Sequence, residues 1–384
     1  MTNNNSNALS SPGIVDIASA RFQAVLLRSM LAQIDRLLCA ERTTTPAQAL
    51  PMPMPMPMPM PMRHYALVSA GQCEEGAVSH MVAMHELVAE RLLMQTPEAE
   101  MADIGPWLIE MPRAPSASLR RSLAHQAAAQ ALTLLGSPLR LPKLCEHLRG
   151  FLSGTLPDGS PVLLRYFDPR IGFDMLAHWP AAAQRQFAQP LAWWAGWDGD
   201  ARLRYVKGAA SADIAPPAPP PPSPPSAPSN AALELPAEWV RAMDKAGEAN
   251  LVVALLAEEL ETSNPNAANR LAQMHPSLRR QIAQAALAFA HRAGLTGWHN
   301  KAQACRQALL THARFHAHPG FLDTLSGAPA PLDLREVLAR VPLPVQQEWT
   351  QDRDAMLARL YDAQSSVLLA AINSSAAASL PGAC

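Results

Sequence analysis

The run Arg165-Tyr166-Phe167-Asp168-Pro169-Arg170 holds the densest group of charged side chains beside strand-like sequence. An aspartate flanked by two arginines needs a nucleophile or a partner base before it can do acid–base work, and neither is adjacent. Its simpler chemistry is architectural, because guanidinium groups pair bidentately with a carboxylate. Asp168 followed by Pro169 also reads as a helix N-cap with proline at the first helical position. Trp193, Trp194 and Trp197 follow closely; such a cluster belongs to a core or, where exposed, to a protein interface.

Three histidines, His312, His316 and His318, form the other group with chemical potential. Two imidazoles a helical turn apart can share a metal ion. No Asp, Glu or Cys stands beside them in sequence, and Pro319 ends the pattern, so histidines at a helix end are the plainer reading. Residues 51–62 read PMPMPMPMPMPM. Thioethers are ligands for copper(I), but alternating proline spreads the sulfurs along an extended rod, and a spacer is the expectation. His85-Glu86 fails the zinc-protease pattern, since Ala89 stands where its second histidine belongs. Neither phosphate-binding glycine motif occurs, nor a GxSxG nucleophile elbow. The expectation is no catalytic residue, cofactor or metal.

These residues must be positioned by elements. Tyr65 to Val68 and Trp107 to Ile109 read as buried strands. Met81, Met84, Val88 and Leu92 fall at helical spacing, and so do Leu119, Leu123, Ala127 and Leu134, with Gly136 as the terminator. Pro142 opens a helix carrying Leu144 and Leu148. Residues 151–167, FLSGTLPDGSPVLLRYF, predict a β-hairpin turning at Pro157-Asp158-Gly159, and a helix through Phe173 and Leu176 should follow Asp168. Beyond residue 233 the pattern is helical throughout, with Trp239 to Leu260, Leu278 to Phe289, Trp298 to Leu309 and Trp349 to Leu360 on successive faces. Ile14, Phe22, Leu26, Met30, Ile34 and Leu37 define an amphipathic N-terminal helix that either packs onto the middle domain or binds a partner.

The fold class expected is therefore α+β, a mixed lobe followed by an all-α lobe, joined by the proline-rich stretch PPAPPPPSPPSAP at 216–228. The domains expected are an extension over 1–62, an α+β domain over 63–210, a linker over 211–232 and a helical domain over 233–375. The 384 residues carry 31 basic and 32 acidic side chains, and a cut at residue 210 leaves both parts near neutral. That excludes a basic nucleic-acid binder. Five cysteines, at 39, 73, 145, 305 and 384, have neither close spacing nor an even count, against a disulfide framework or a zinc cluster. The sequence offers no secretory signal and no membrane-length apolar run, so a cytoplasmic protein without membrane insertion is expected.

The ordered series His147-Leu148-Arg149, Pro157-Asp158-Gly159 and Arg165 to Arg170 resembles the signature of the type VI secretion effector chaperones, the VgrG adaptor proteins. Upstream, Tyr65-Ala66-Leu67-Val68 and Pro106-Trp107-Leu108 are similar to that family's opening strand and its Pro-Trp-Leu strand. Ala293-Gly294-Leu295-Thr296 and Phe315-His316-Ala317-His318-Pro319 are similar to motifs of the helical region found with these chaperones. One departure is Ser69, where the family usually carries an acidic residue, so no role for that carboxylate transfers. The extension before residue 63 and the proline linker lie outside the resemblance.

The resemblance implies a bacterial cytoplasmic chaperone or adaptor, not an enzyme, whose partners are a toxin effector and the VgrG spike, onto which it helps load the toxin. Tyr65, Trp107, His147, Arg149, Arg165, Phe167, Asp168, Arg170 and Trp197 are the candidate residues, as partner contacts or as structural motif. The alternative is an enzyme or toxin with an active site around the RYFDPR run.

Overall fold

The computed structural model describes residues 13–39, 61–210 and 233–375. The repeat at 51–60 and the linker at 211–232 lie outside the described residues, and with them the spacer, linker and copper readings. The described chain has a region of mixed sheet and helices, then an all-helical region. Two compact units divide it, one of residues 30–248 and one of residues 1–29 with 249–377; short terminal residues aside, the cuts fall inside the first helix, α1 (Ile14–Cys39), and inside α7 (Ala237–Ser263).

In the sheet unit, β1 (Arg63–Ser69), β2 (Ala89–Arg91), β3 (Pro106–Glu110), β4 (Leu132–Ser137), β7 (Trp193–Trp197) and β8 (Leu203–Lys207) form one sheet in the order β2-β3-β1-β4-β7-β8. Every neighbouring pair is antiparallel. The hairpin at Pro157-Asp158-Gly159 forms as expected from β5 (Ser153–Thr155) and β6 (Pro161–Leu163). β9 (Leu233–Glu234) adds to β5 in parallel, making a second, three-stranded sheet. The helices of this unit are α2 (Ala77–Met84), α3 (Ala117–Ala128), α4 (Leu141–Arg149), α5 (Gly172–Ala177) and α6 (Ala181–Ala188).

The two longest helical expectations of this region end early. α2 stops at Met84, because Glu86 takes φ 51° and turns the chain toward β2; Val88 is exposed and Leu92 buried. α3 stops at Ala128, Gln130 takes φ 58°, and Leu132 to Ser137 is a strand buried at every position. A strand covered on both faces shows no alternation, so its leucines mimic helical spacing. Gly136 is no terminator: a Cβ there would lie 2.3 Å from the indole nitrogen of Trp193 on the adjoining strand. The helix expected to start at Asp168 starts at Gly172, with Ile171 as its N-cap. The backbone carbonyl of Asp168 instead accepts from the Gly172 amide at 2.6 Å.

The core of this unit is aromatic. Phe151 stacks on Trp179 at 5.7 Å, and Phe187 meets Phe151, Tyr166, Trp179 and Trp194 at 5.2–5.6 Å. Trp239, at the start of α7, joins the same core. Residues 30–39 of α1 bury Met30, Ile34 and Leu37. Asp35 there accepts from Arg120 at 2.9 Å.

The helical unit holds α8 (Pro265–Gln273), α9 (Pro276–Arg292), α10 (Trp298–Leu310), α11 (Pro319–Ser326), α12 (Leu334–Arg340) and α13 (Leu343–Ser375), with the rest of α7 and the start of α1. Phe22 of α1 meets His275 edge-on at 4.9 Å and Tyr361 at 5.5 Å. Phe289, Phe315, Phe321 and Trp349 form its aromatic centre. No helix among the described residues is long and apolar enough to cross a membrane.

Candidate functional site

The hairpin β5–β6 delivers the chain into the segment 164–171, where the motif residues converge. Asp168 is 1% exposed. Its Oδ1 accepts from Arg170 Nε at 2.9 Å and from the Arg170 amide at 3.1 Å; its Oδ2 accepts from Arg170 Nη2 at 2.7 Å and Arg165 Nη2 at 3.0 Å. This is the fork-to-fork pairing that two guanidiniums and one carboxylate predict. Burial pulls the Arg170 pKa down, but the hydrogen bonds and charge of Asp168 outweigh it and hold the pKa above the ordinary value. A carboxylate with both oxygens taken up by cations has no lone pair turned toward a substrate. Arg165 is the more exposed of the two arginines, with 48% of its side chain reaching water against 35% for Arg170.

The aromatic pair beside it looks inward. Phe167 is 4% exposed, and Tyr166 donates its hydroxyl to the Leu148 carbonyl at 2.8 Å, tying the motif to the end of α4. Gly172 lets the start of α5 pass close to the motif backbone, since a Cβ there would sit 2.0 Å from the Tyr166 carbonyl oxygen. On α4, His147 Nε2 donates to the Phe187 carbonyl at 3.0 Å. Burial lowers the His147 pKa, with that carbonyl bond opposing, so the ring is neutral at pH 7.

Arg149 works on the sheet edge. Its Nε donates to the Leu92 carbonyl and its Nη2 to the Arg91 carbonyl, each at 3.1 Å, with Glu90 at 3.4 Å. Arg91 in turn lies 4.7 Å over the ring of Trp107, whose indole donates to the Asp103 carbonyl. The Tyr65 hydroxyl donates to the Leu139 carbonyl at 2.5 Å, just before α4. Burial, with the Glu110 carboxylate, pushes that phenol up to about 12. Trp197 stands apart from this group: its indole donates to Gln33 of α1.

The structure thus gathers Arg165, Phe167, Asp168 and Arg170 in one segment and ties His147 and Arg149 to it through α4. Tyr65 and Trp107 lie in β1 and β3. Sequence reasoning missed Phe151, Trp179 and Phe187, the aromatic cluster that Tyr166 of the segment joins. Their positions, spread from 151 to 187, follow no single repeat, so nothing in the sequence joined them. Gln33 carried no signal, as a lone polar residue on a helix face.

Other reactive groups are subdued. Burial pushes the Cys145 thiol up to about 12 and the Cys73 thiol up to about 11, so neither is a thiolate at neutral pH. The histidines corrected the sequence reading in two ways. α10 ends at Leu310, so His312 and His316 share no helix; His316 sits in a short 3-10 turn and stacks on Phe289 at 5.3 Å. Acidic partners do stand beside them in space: His312 meets Asp352 at 3.3 Å and His318 meets Glu348 at 3.2 Å, both from α13. Among the described residues no three His, Cys, Asp or Glu side chains gather as a metal site.

No curated protein and no solved structure matches the chain. Residues 64–186 match the family model of a domain of unknown function, DUF4123; that stretch runs from β1 into α6 and holds every candidate residue named above except Trp197.

Proposed function

We propose that this chain is a non-enzymatic chaperone or adaptor of a type VI secretion system, which binds a toxin effector in the bacterial cytoplasm and helps load it onto the VgrG spike. One observation carries the reading: the match over residues 64–186 is to a domain associated with effector adaptors of that system, and the motifs from Tyr65 to Arg170 lie within it, while those at 293–296 and 315–319 lie outside. The buried, fully paired Asp168 adds support, because a carboxylate saturated by guanidiniums suits architecture better than turnover. In this reading the motif holds the shape of the α+β domain, and Arg165 is the member placed to touch a partner. The extension 1–62, the domain 63–210, the linker 211–232 and the helical domain 233–375 are its working parts, with two lobes on one client raising effective concentration.

Co-purification tests it. Tagged chain recovered from its own cells should bring down the toxin encoded beside it, together with a VgrG protein. Recovery of neither, with toxin delivery intact in cells that lack the chain, overturns the proposal.

A further inference from the structure

The helical unit carries a groove of about 490 Å³ between α7, α10 and α12. Its walls include Leu255 and Leu256 of α7 and Trp298 and Ala302 of α10. Leu255 and Trp298 are each 44% exposed, and Leu251, one turn before Leu255, is 53% exposed. Water therefore covers Leu255 and Trp298, which line one concavity, and Leu251, which continues the α7 ridge outside that lining. The lining also holds the polar Glu259, His299, Gln303 and Arg306, and a large exposed aromatic beside such a mixed wall is the side chain that most often anchors a protein contact.

The charge around the groove has a sign. Glu259 is engaged by Arg306 at 2.6 Å, so its charge is answered within the chain. Arg335 of α12 lines the groove, is exposed, and forms no ion pair among the described residues. α10 begins at the same groove with Gly297 as N-cap, which supplies no side chain to the first turn. The positive end of that helix thus reinforces the guanidinium. An occupant must supply apolar surface for Leu255 and Trp298 and a carboxylate for Arg335. Ridges at i and i+4 on α7 suit a helix laid alongside.

We infer that this groove docks an amphipathic helix of the client toxin, with apolar side chains against Leu255 and Trp298 and a carboxylate against Arg335. The inference rests on the chaperone reading and names the surface and partner chemistry that reading leaves open.

The test uses the full chain and the toxin that co-purifies with it. Leu255→Asp and Arg335→Glu should each weaken toxin binding about tenfold or more, while Arg335→Lys keeps most of it. Val367→Asp, at a 65% exposed position of α13 outside the groove, should bind as wild type. Both groove positions are exposed, so unchanged thermal melting separates lost docking from lost folding. A benzophenone amino acid at position 298 should crosslink to one toxin segment with helical apolar spacing and an acidic residue. Groove variants that bind as wild type, an equal loss in Val367→Asp, or a crosslink to a second copy of this chain would overturn the groove and leave the chaperone reading standing. A wild-type chain that holds no toxin overturns the chaperone reading itself.

Discussion

Trp197 and Gln33, 164 positions apart in sequence, share a buried hydrogen bond of 2.5 Å from the indole nitrogen to the amide oxygen. The bond fixes α1 to β7, and its two ends are 1% and 8% exposed. A helix met in sequence as an appendage is, over residues 30–39, part of the sheet unit's interior.

Removing one end of that bond leaves the other without water. Gln33→Leu should cost about 1–3 kcal/mol, the range for a stranded buried donor, read as a lower denaturation midpoint with unchanged slope. Gln33→Glu keeps an acceptor but buries a charge, and should cost more at pH 8 than at pH 4.

The Asp168 cluster makes an ordered prediction. Asp168→Ala removes the shared anion of Arg170 and Arg165, whose side chains are 35% and 48% exposed, and should destabilise by about 1–3 kcal/mol, the range for lost charge-assisted hydrogen bonds. Arg165→Ala removes a half-exposed arm and should cost less than about 1 kcal/mol. Chemical denaturation of both variants checks the order; equal costs would mean Asp168 is not the centre of the cluster.

Gly172→Ala should be among the most damaging single-methyl changes, since the added carbon would lie 2.0 Å from the Tyr166 carbonyl oxygen. Gly159→Ala, in the open hairpin turn at φ +85°, meets no atom and carries only backbone strain of about 1 kcal/mol. Melting temperatures of the pair separate crowding from strain.

His147 gives a pH dependence. Burial lowers its folded pKa below the ordinary 6.5, so the unfolded chain takes the proton first as pH falls. Its contribution to stability is complete above 6.5 and is lost as pH drops from there toward the folded value. His147→Gln, which retains a donor for the Phe187 carbonyl, should flatten that part of the stability-versus-pH curve; an unchanged curve would show that His147 titrates freely in the folded state.

Much of this fold was legible because local chemistry spoke clearly. Pro157-Asp158-Gly159 turned where turn chemistry demands, Pro142 opened α4, and Asp168 met its two arginines as charge and geometry require. The misreadings share a cause. Leu132 to Leu135 and Val88 to Leu92 have helical spacing by accident, and the turns at Gln130 and Glu86 that overrule it use non-glycine residues at positive φ, which carry no sequence warning. β9 was invisible because two residues pair only where the hairpin offers an edge. In the site, charged members were found and their aromatic bed was not, since rings from 151 to 194 become neighbours only once folded.

Light scattering coupled to size exclusion, on the purified chain mixed with a toxin recovered with it from its own cells, tests the central claim most directly. The account predicts one comigrating complex from which the toxin is recovered with its covalent mass unchanged. Separate peaks, or a toxin or other substrate converted at a rate tied to a single side chain of this protein, would contradict it.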